Sequence, residues 1–393
     1  MKRLACAAIV CAVAFAGCSR AFAPATLPQS NGNGAFPFAI PDASNKVLYA
    51  FGSGSDGVYP VARLVVLDGV LYGTTTLGGS TGRGTVFSVT TAGKEKVLYS
   101  FIGGPDGSYP LASMIAVNGV LYGTTSAGGT YGKGTVFSVT RKGVERVLYS
   151  FGLKKDGASP NAGLLAAKGL LYGTTPAGGT KGKGTLFSIT TAGVEKVLYN
   201  FGSQSKDGSQ PKASLIFVGG TLYGTTYVGG KKGKGTIFSA TTSGKETVLY
   251  SFTGGADGGN PYASMYNVNG TFYGTTVAGG ANSGGVVFKT TKAGKETALY
   301  GFGAGTDGNA PYASLVVVSG KLYGTTVNGG SNGKGIAFRM TTAGVEKVLF
   351  NFGGATTNGA FPWAGLTAFK NVLYGTTRSG GKPDAGTVVT IKP

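Results

Sequence analysis

Any chemistry in this chain has to come from lysine, arginine, tyrosine or carboxylate side chains. Its 393 residues contain no histidine, so no Ser-His-Asp triad, Cys-His pair or usual histidine-bearing zinc site can form. The three cysteines, Cys6, Cys11 and Cys18, all fall within the first 18 residues. Everything after them lacks a thiol, and with it a disulfide or a cysteine nucleophile. Lysine and arginine number 35 against 15 aspartate and glutamate, a net charge of +20. A surplus of that size points to anionic partners or an anionic surface.

The carboxylates fall into a pattern that argues against catalysis. Glu95, Glu145, Glu195, Glu246, Glu296 and Glu346 hold one recurring position, and Asp56, Asp106, Asp156, Asp207, Asp257 and Asp307 each precede a glycine at another. Only Asp42, Asp68 and Asp384 stand outside these two series. A catalytic carboxylate pair needs members in different environments, so a residue repeated six times reads as framework. The Asp-Gly pairs are expected to be turns in which the carboxylate caps local N–H groups. Calcium would need six or more oxygen ligands, and one Asp per loop does not supply them. No metal and no cofactor are expected.

Binding chemistry is better represented. Arg83, Lys133, Lys181, Lys183, Lys231, Lys232, Lys234, Lys334 and Lys382 lie in glycine-rich loops, and Tyr59, Tyr109, Tyr262, Tyr312, Phe361 and Trp363 flank a recurring proline. Aromatic faces beside cationic donors suit acidic sugars, by stacking and charge-assisted hydrogen bonds. The bland alternative is a solvated basic rim over aromatics packed under loops.

The elements that must position these residues come from an internal repeat. Leu-Tyr-Gly-Thr-Thr, or Phe-Tyr-Gly-Thr-Thr, begins at Leu71, Leu121, Leu171, Leu222, Phe272, Leu322 and Leu373. Val-Leu-Tyr-x-Phe begins at Val47, Val97, Val147, Val197 and Val248, with variants from Ala298 and Val348. In one unit, residues 111–117 are apolar and end at Asn118-Gly119, a two-residue hairpin turn. Residues 120–125 follow, then a loop over 127–134, a β-branched run at 135–140 and a fourth run at 146–151. No helical period is present in the repeats. The 73 glycines, far above the usual share of ~7%, fit turn-dense β structure.

Four short strands per unit of ~50 residues, seven times over, predict an all-β, seven-bladed β-propeller spanning 47–393. Naming the strands a to d from the centre outward, residues 47–51 form a d strand that precedes any a strand. The last unit supplies a (364–369), b (372–377) and c (387–392) and lacks its d. The N-terminal strand is therefore expected to complete the last blade and close the ring. A prism or β-helix is the runner-up. In such a meander the b–c and d–a loops share one face, which gathers the basic and aromatic residues at the channel mouth.

Before the repeats, Lys2 and Arg3 precede an apolar run of 13 residues, 4–16. That is too short to span a membrane and fits a signal-peptide core. Ala16-Gly17-Cys18 resembles the end of a bacterial lipobox, with Cys18 as the lipid-bearing residue. Ala14-Phe15-Ala16 fits ordinary secretion instead. Residues 1–17 are read as a lipoprotein-type leader and 18–46, rich in Pro, Ala, Ser, Asn and Gly, as a flexible tether. Either cleavage exports the chain, to the cell envelope or outer surface through a lipid anchor, or as a secreted protein.

The ordered motifs Leu121-Tyr-Gly-Thr-Thr125, Gly128-Gly129, Gly134-Thr-Val-Phe137 and Leu148-Tyr-Ser-Phe151 resemble the Gloeo/Verruco (GloVer) tandem repeat of exported bacterial proteins. The resemblance covers residues 47–393. It implies an exported repeat protein and brings no catalytic residues with it. The expected function is a non-catalytic surface binding or interaction scaffold for anionic glycans or envelope polymers, monomeric, meeting the membrane only through its anchor. An extracellular polysaccharide lyase or hydrolase, with an asymmetric pocket around Asp68 or one odd blade, is one alternative. A purely structural envelope protein is the other. Nucleic acid would also attract this charge, but export makes it an unsuitable partner and no nucleic-acid-binding motif is present.

Overall fold

In a computed structural model, residues 46–52, 55–153, 155–353 and 358–393 are described. The leader, Cys18 and the tether as far as residue 45 lie outside them, while Lys46 already belongs to the first strand. Seven four-stranded antiparallel sheets form a ring, a seven-bladed β-propeller, with no helix among the described residues. Blade 2 is representative: strand a is Ile115–Val117, b Val120–Thr125, c Thr135–Thr140 and d Glu145–Ser150. Blade 7 takes a, b and c from Thr367–Phe369, Val372–Thr377 and Thr387–Ile391, and its fourth strand is Lys46–Ala50. That strand pairs antiparallel with Thr387–Ile391, in the register Lys46↔Thr390 and Ala50↔Thr387. The closure expected from the phase offset is present.

Strand a is shorter than the apolar run suggested, and in five of the seven blades the alanine two residues after the proline gives its carbonyl to a hydroxyl of the neighbouring blade. The first Thr of Gly-Thr-Thr reaches across: Thr124 Oγ1 donates to Ala162 O at 3.3 Å, Thr174 to Ala213 O at 3.3 Å and Thr376 to Ala62 O at 3.1 Å. The second Thr braces its own b–c loop, as Thr125 Oγ1 donates to Ala127 O at 3.0 Å and lies 2.8 Å from Thr135 Oγ1.

Blades are glued by aromatic edges. Phe101, which follows strand d of blade 1, meets Phe137 on strand c of blade 2 edge-on at 5.1 Å, and both are fully buried. The same T-shaped pair recurs at Phe51–Phe87, Phe151–Phe187, Phe201–Phe238, Phe252–Phe288 and Phe302–Phe338. This explains the glycine of Leu-Tyr-Gly. It faces the strand-c Phe of its own blade, as in Gly173↔Phe187, and a Cβ there would lie 2.5 Å from the Phe187 ring and 3.0 Å from Leu164. The glycine lets the ring lie flat on strand b, and through that ring the blades come together.

In blade 7 the partner is Val389, 3.7 Å from the same imagined Cβ, although Leu366 stands at 2.9 Å. Gly173→Ala is expected to destabilise the fold by about 1–3 kcal/mol through overpacking, against the general gain from removing a strand glycine. Gly375→Ala should cost less. Urea unfolding of the two variants checks both.

The six repeated carboxylate pairs also join blades. Asp106, 6% exposed, accepts from the Tyr99 hydroxyl at 2.9 Å, Ile102 N at 2.8 Å and Gly103 N at 3.1 Å. The expected capping turn is therefore present, with the strand-d tyrosine added to it. Glu145, the first residue of strand d in the next blade, stands beside this pair. Burial first, then the Asp106 charge, push its carboxyl up to about 7, with the Tyr99 hydroxyl opposing.

Candidate channel-mouth binding site

The b–c and d–a loops do share a face, and main-chain hydrogen bonds tie them. Tyr109 N donates to Arg83 O at 3.0 Å, Gln210 N to Lys183 O at 2.9 Å, Asn260 N to Lys234 O at 2.7 Å and Phe361 N to Lys334 O at 2.9 Å. Ser159 N meets Lys133 O in the same way at 2.7 Å. Arg83, Lys133, Lys183, Lys234 and Lys334 therefore occupy one register around the rim. They are exposed, as are Lys181, Lys231, Lys232 and Lys382.

The six predicted aromatics do not form one ring, and this corrects the sequence reading. Tyr59, Tyr109 and Phe361 precede the proline, with φ of 59°, 58° and 56°. Each lies under a cation of the protein itself. Arg378 is 5.0 Å from the Tyr59 ring, Arg83 is 5.6 Å from that of Tyr109, and Lys334 is 4.6 Å from that of Phe361. The Arg83 guanidinium also donates to the Tyr109 hydroxyl. These are rim pairs.

Tyr262, Tyr312 and Trp363 follow the proline and line the channel mouth. The difference is two places in sequence, but the proline between them turns the chain from loop to channel wall.

The mouth is one-sided. Its ring position is Val61, Leu111 and Asn161 in blades 1 to 3, and Lys212, Tyr262, Tyr312 and Trp363 in blades 4 to 7. Tyr312 stacks on Trp363 with centroids 4.6 Å apart and planes at 26°, and Tyr262 meets Tyr312 edge-on at 5.0 Å. Lys212 ends the arc, its Nζ 4.0 Å from the Tyr227 ring centroid and 5.5 Å from that of Tyr262. Burial lowers the pKa of this ammonium. Trp363 Nε1 and Asn161 Oδ1 are buried with no hydrogen-bond partner. No aspartate or glutamate lines the mouth.

Below the mouth lies a residue that the sequence reading missed. Arg63 holds the position occupied elsewhere by Ser113, Gly163, Ser214, Ser264, Ser314 and Gly365. Its Nε donates to Thr367 Oγ1 at 3.3 Å and its N to Ser113 Oγ at 3.1 Å. Burial pushes the guanidinium below its ordinary range, and the nearby Tyr266 hydroxyl opposes that. A charged residue at a position otherwise kept small was a signal available in the repeat alignment. Asp68, in contrast, is exposed on the far side of strand a and pairs with Arg141 of the next blade. It lines neither cavity of the central channel.

Fold and site together define a seven-bladed β-propeller with a cationic, half-aromatic channel mouth. The chain belongs to the Gloeobacter/Verrucomicrobia repeat family, whose pattern matches residues 24–230 and 203–389. No curated protein matches it.

Solved structures resemble it in fold. A puromycin-hydrolyzing peptidase of Mycobacterium tuberculosis superposes with a TM-score of 0.53 at 13% identity, covering 89% of this chain and 55% of the peptidase. This chain thus spans about half of that enzyme. An acylaminoacyl peptidase of Pyrococcus horikoshii gives 0.47 at 12% identity over 86% and 52% of the two chains. A Bacteroides thetaiotaomicron protein of unknown function gives 0.45 at 13% identity over 90% and 98%. At these identities the likeness concerns fold alone.

Proposed function

We propose that this protein is a non-catalytic binding scaffold for acidic polysaccharide or another anionic envelope polymer, held at the mouth on the b–c/d–a face. The observation that carries the reading is the arc from Lys212 through Tyr262 and Tyr312 to Trp363, with no carboxylate among the residues lining it. An edge of aromatic rings offers apolar sugar faces a surface. The half-buried Lys212 ammonium and the exposed rim lysines supply charge-assisted hydrogen bonds to carboxylates. The unpartnered Trp363 Nε1 and Asn161 Oδ1 are a donor and an acceptor that a hydroxylated ligand can satisfy. Export is part of the proposal: the apolar run at 4–16 carries the chain out, and Cys18 takes the lipid that holds it at the envelope.

Trp363 is the only tryptophan, so its fluorescence reports the mouth directly. Titrating the propeller with alginate at low salt should shift that emission, and raising the salt should weaken the binding. Lys212→Leu should weaken it about tenfold, the loss of one charge-assisted contact. Charge reversal at Lys133, Lys181, Lys231 and Lys334 should abolish it. Alginate binding that survives the reversal unchanged would overturn the reading, and absence of binding at low salt would favour a structural role in the envelope.

A further inference from the structure

The channel has two compartments that meet at a waist. The mouth cavity, about 80 Å³, and a larger chamber of about 370 Å³ share Arg63, Ser113, Gly163, Ser214, Ser264 and Ser314. From this waist the chamber runs along the innermost strands toward the a–b turns, as far as Val66, Asn267 and Ala368. Its volume lies within the ~300–1,000 Å³ of small-molecule sites. The wall is the exposed edge of seven a strands, whose outward N–H and C=O groups have no sheet partner on that side. No aspartate or glutamate lines it.

Within this wall Arg63 is anomalous in three ways. Six of the seven blades do without a charge there, so the framework does not need one. It makes no ion pair among the described residues. A guanidinium withdrawn from bulk water without a counter-charge is costly. It is nevertheless held, with Nε fixed by Thr367 and the adjacent backbone N by Ser113. Fixing Nε leaves the terminal N–H groups as the donors of the fork. Two further departures from the repeat gather at the same level. Tyr266 and Thr367 stand where the other blades have Val65, Ile115, Leu165, Ile216 and Val316, and both line the chamber.

We infer that this chamber is a second binding site, for a compact ligand bearing one carboxylate or phosphate group, with Arg63 as the residue that pairs with the oxyanion. The serine ring and Tyr266 face the polar body of the ligand, the strand edges complete its hydrogen bonding, and Thr367, whose hydroxyl donates to Leu64 O at 2.6 Å while accepting from Arg63 Nε, holds the guanidinium in place. The site is separate from the mouth surface and does not depend on polymer binding there.

The test uses Arg63→Ser, which installs the residue of four other blades and so removes the charge without a new packing demand. Glucuronate, inorganic phosphate and uncharged glucose are titrated in parallel by calorimetry at low salt, each to about 10 mM, which covers a Kd of about 1 mM. Glucuronate or phosphate should bind, glucose should not, and whichever anion binds identifies the oxyanion class. Arg63→Ser should lower that affinity at least tenfold while Tm is retained or raised, because an unpaired buried charge has been removed. Trp363→Ala should leave small-anion binding intact. The inference is overturned if neither anion binds, if Arg63→Ser binds as well as the parent, or if Trp363→Ala abolishes the binding and Arg63→Ser does not.

Discussion

Deleting residues 46–51 is expected to abolish cooperative folding of the whole ring. Among the described residues, the strand Lys46–Ala50 is what covers the outer edge of strand c in blade 7, and Phe51 N closes the ladder on Gly386 O at 2.9 Å. Phe51 is fully buried, meets Phe87 of blade 1 edge-on at 4.9 Å, and sits in one cluster with Leu64, Leu71, Val89, Tyr374 and Val388. Losing one buried Phe side chain costs about 3–5 kcal/mol, already a large part of the ~5–15 kcal/mol that stabilises a typical domain.

The deletion removes Leu48 and Tyr49 as well, and bares an apolar edge at Thr387–Ile391. Such an edge pairs with other chains. The expected result is a broad, non-cooperative urea transition together with oligomers on gel filtration. Re-attaching residues 46–51 after Ile391 through a copy of residues 90–95, the repeat's own c–d turn with the first residue of strand d, should restore a monomer, since the strand then enters the same place by the route used in the other six blades. A deletion variant that stays monomeric with an unchanged Tm would show that the strand does not hold the ring.

The ring and its closure were legible because they rest on counting. Seven Leu-Tyr-Gly-Thr-Thr segments and one d strand ahead of the first a strand leave few ways to join the ends. What escaped were departures from the repeat. Residues 111–114 have strand-like composition, yet only Ile115–Val117 pairs with strand b; the stretch before it makes contacts to the neighbouring blade, with Arg63 N donating to Ser113 Oγ at 3.1 Å. No single unit shows contacts that lie between blades.

The aromatics of the mouth were recognised as a set but not separated into those before and after the proline. Composition treats the two positions alike, whereas left-handed backbone at Tyr59, Tyr109 and Phe361 places them on the rim. The rim cations stand in loops, where charge is ordinary, and Arg63 stands outside them. The more telling charge was the one that broke a column of serine and glycine.

The same comparison of columns exposes the seam. Six blade junctions carry a Tyr, an Asp and a Glu, as in Tyr99, Asp106 and Glu145. In the last unit the corresponding sequence positions are Phe350 and Asn358, and the position that Glu95 holds is Asn45, which lies outside the described residues. All three members change together to groups that do not ionise, which is what their action as one unit requires. An Asp without its Tyr, or a Glu without the pair, would leave a charge buried against nothing.

These six units are expected to make the propeller more stable in mild acid than in mild base. Glu95, Glu145, Glu195, Glu296 and Glu346 are pushed from the ordinary 4.5 up to about 7, and Glu246 to about 8. In each case burial is the largest cause and the neighbouring Asp charge the second. In each, Oε1 is buried without a hydrogen-bond partner.

A carboxyl whose folded pKa lies above its unfolded value binds protons more tightly when folded. Between about 4.5 and about 7 the folded state therefore holds more protons than the unfolded, and stability falls as pH rises. The contribution is fully present below the unfolded value and is lost as pH passes through 7, or 8 for Glu246. The absence of histidine removes the side chain that ordinarily dominates this window, so the effect is readable.

Tm is expected to be higher at pH 5 than at pH 8 by on the order of 5 °C or more. Potentiometric titration of the folded protein should show an uptake of several protons across the same range. Glu246→Gln should raise Tm at pH 8 and leave it nearly unchanged at pH 5, because the amide keeps the shape of the neutral acid. A Tm that is flat or rises from pH 5 to pH 8 would mean that these carboxylates stay ionised in the folded ring, with the Asp–Glu repulsion relieved by water between the blades.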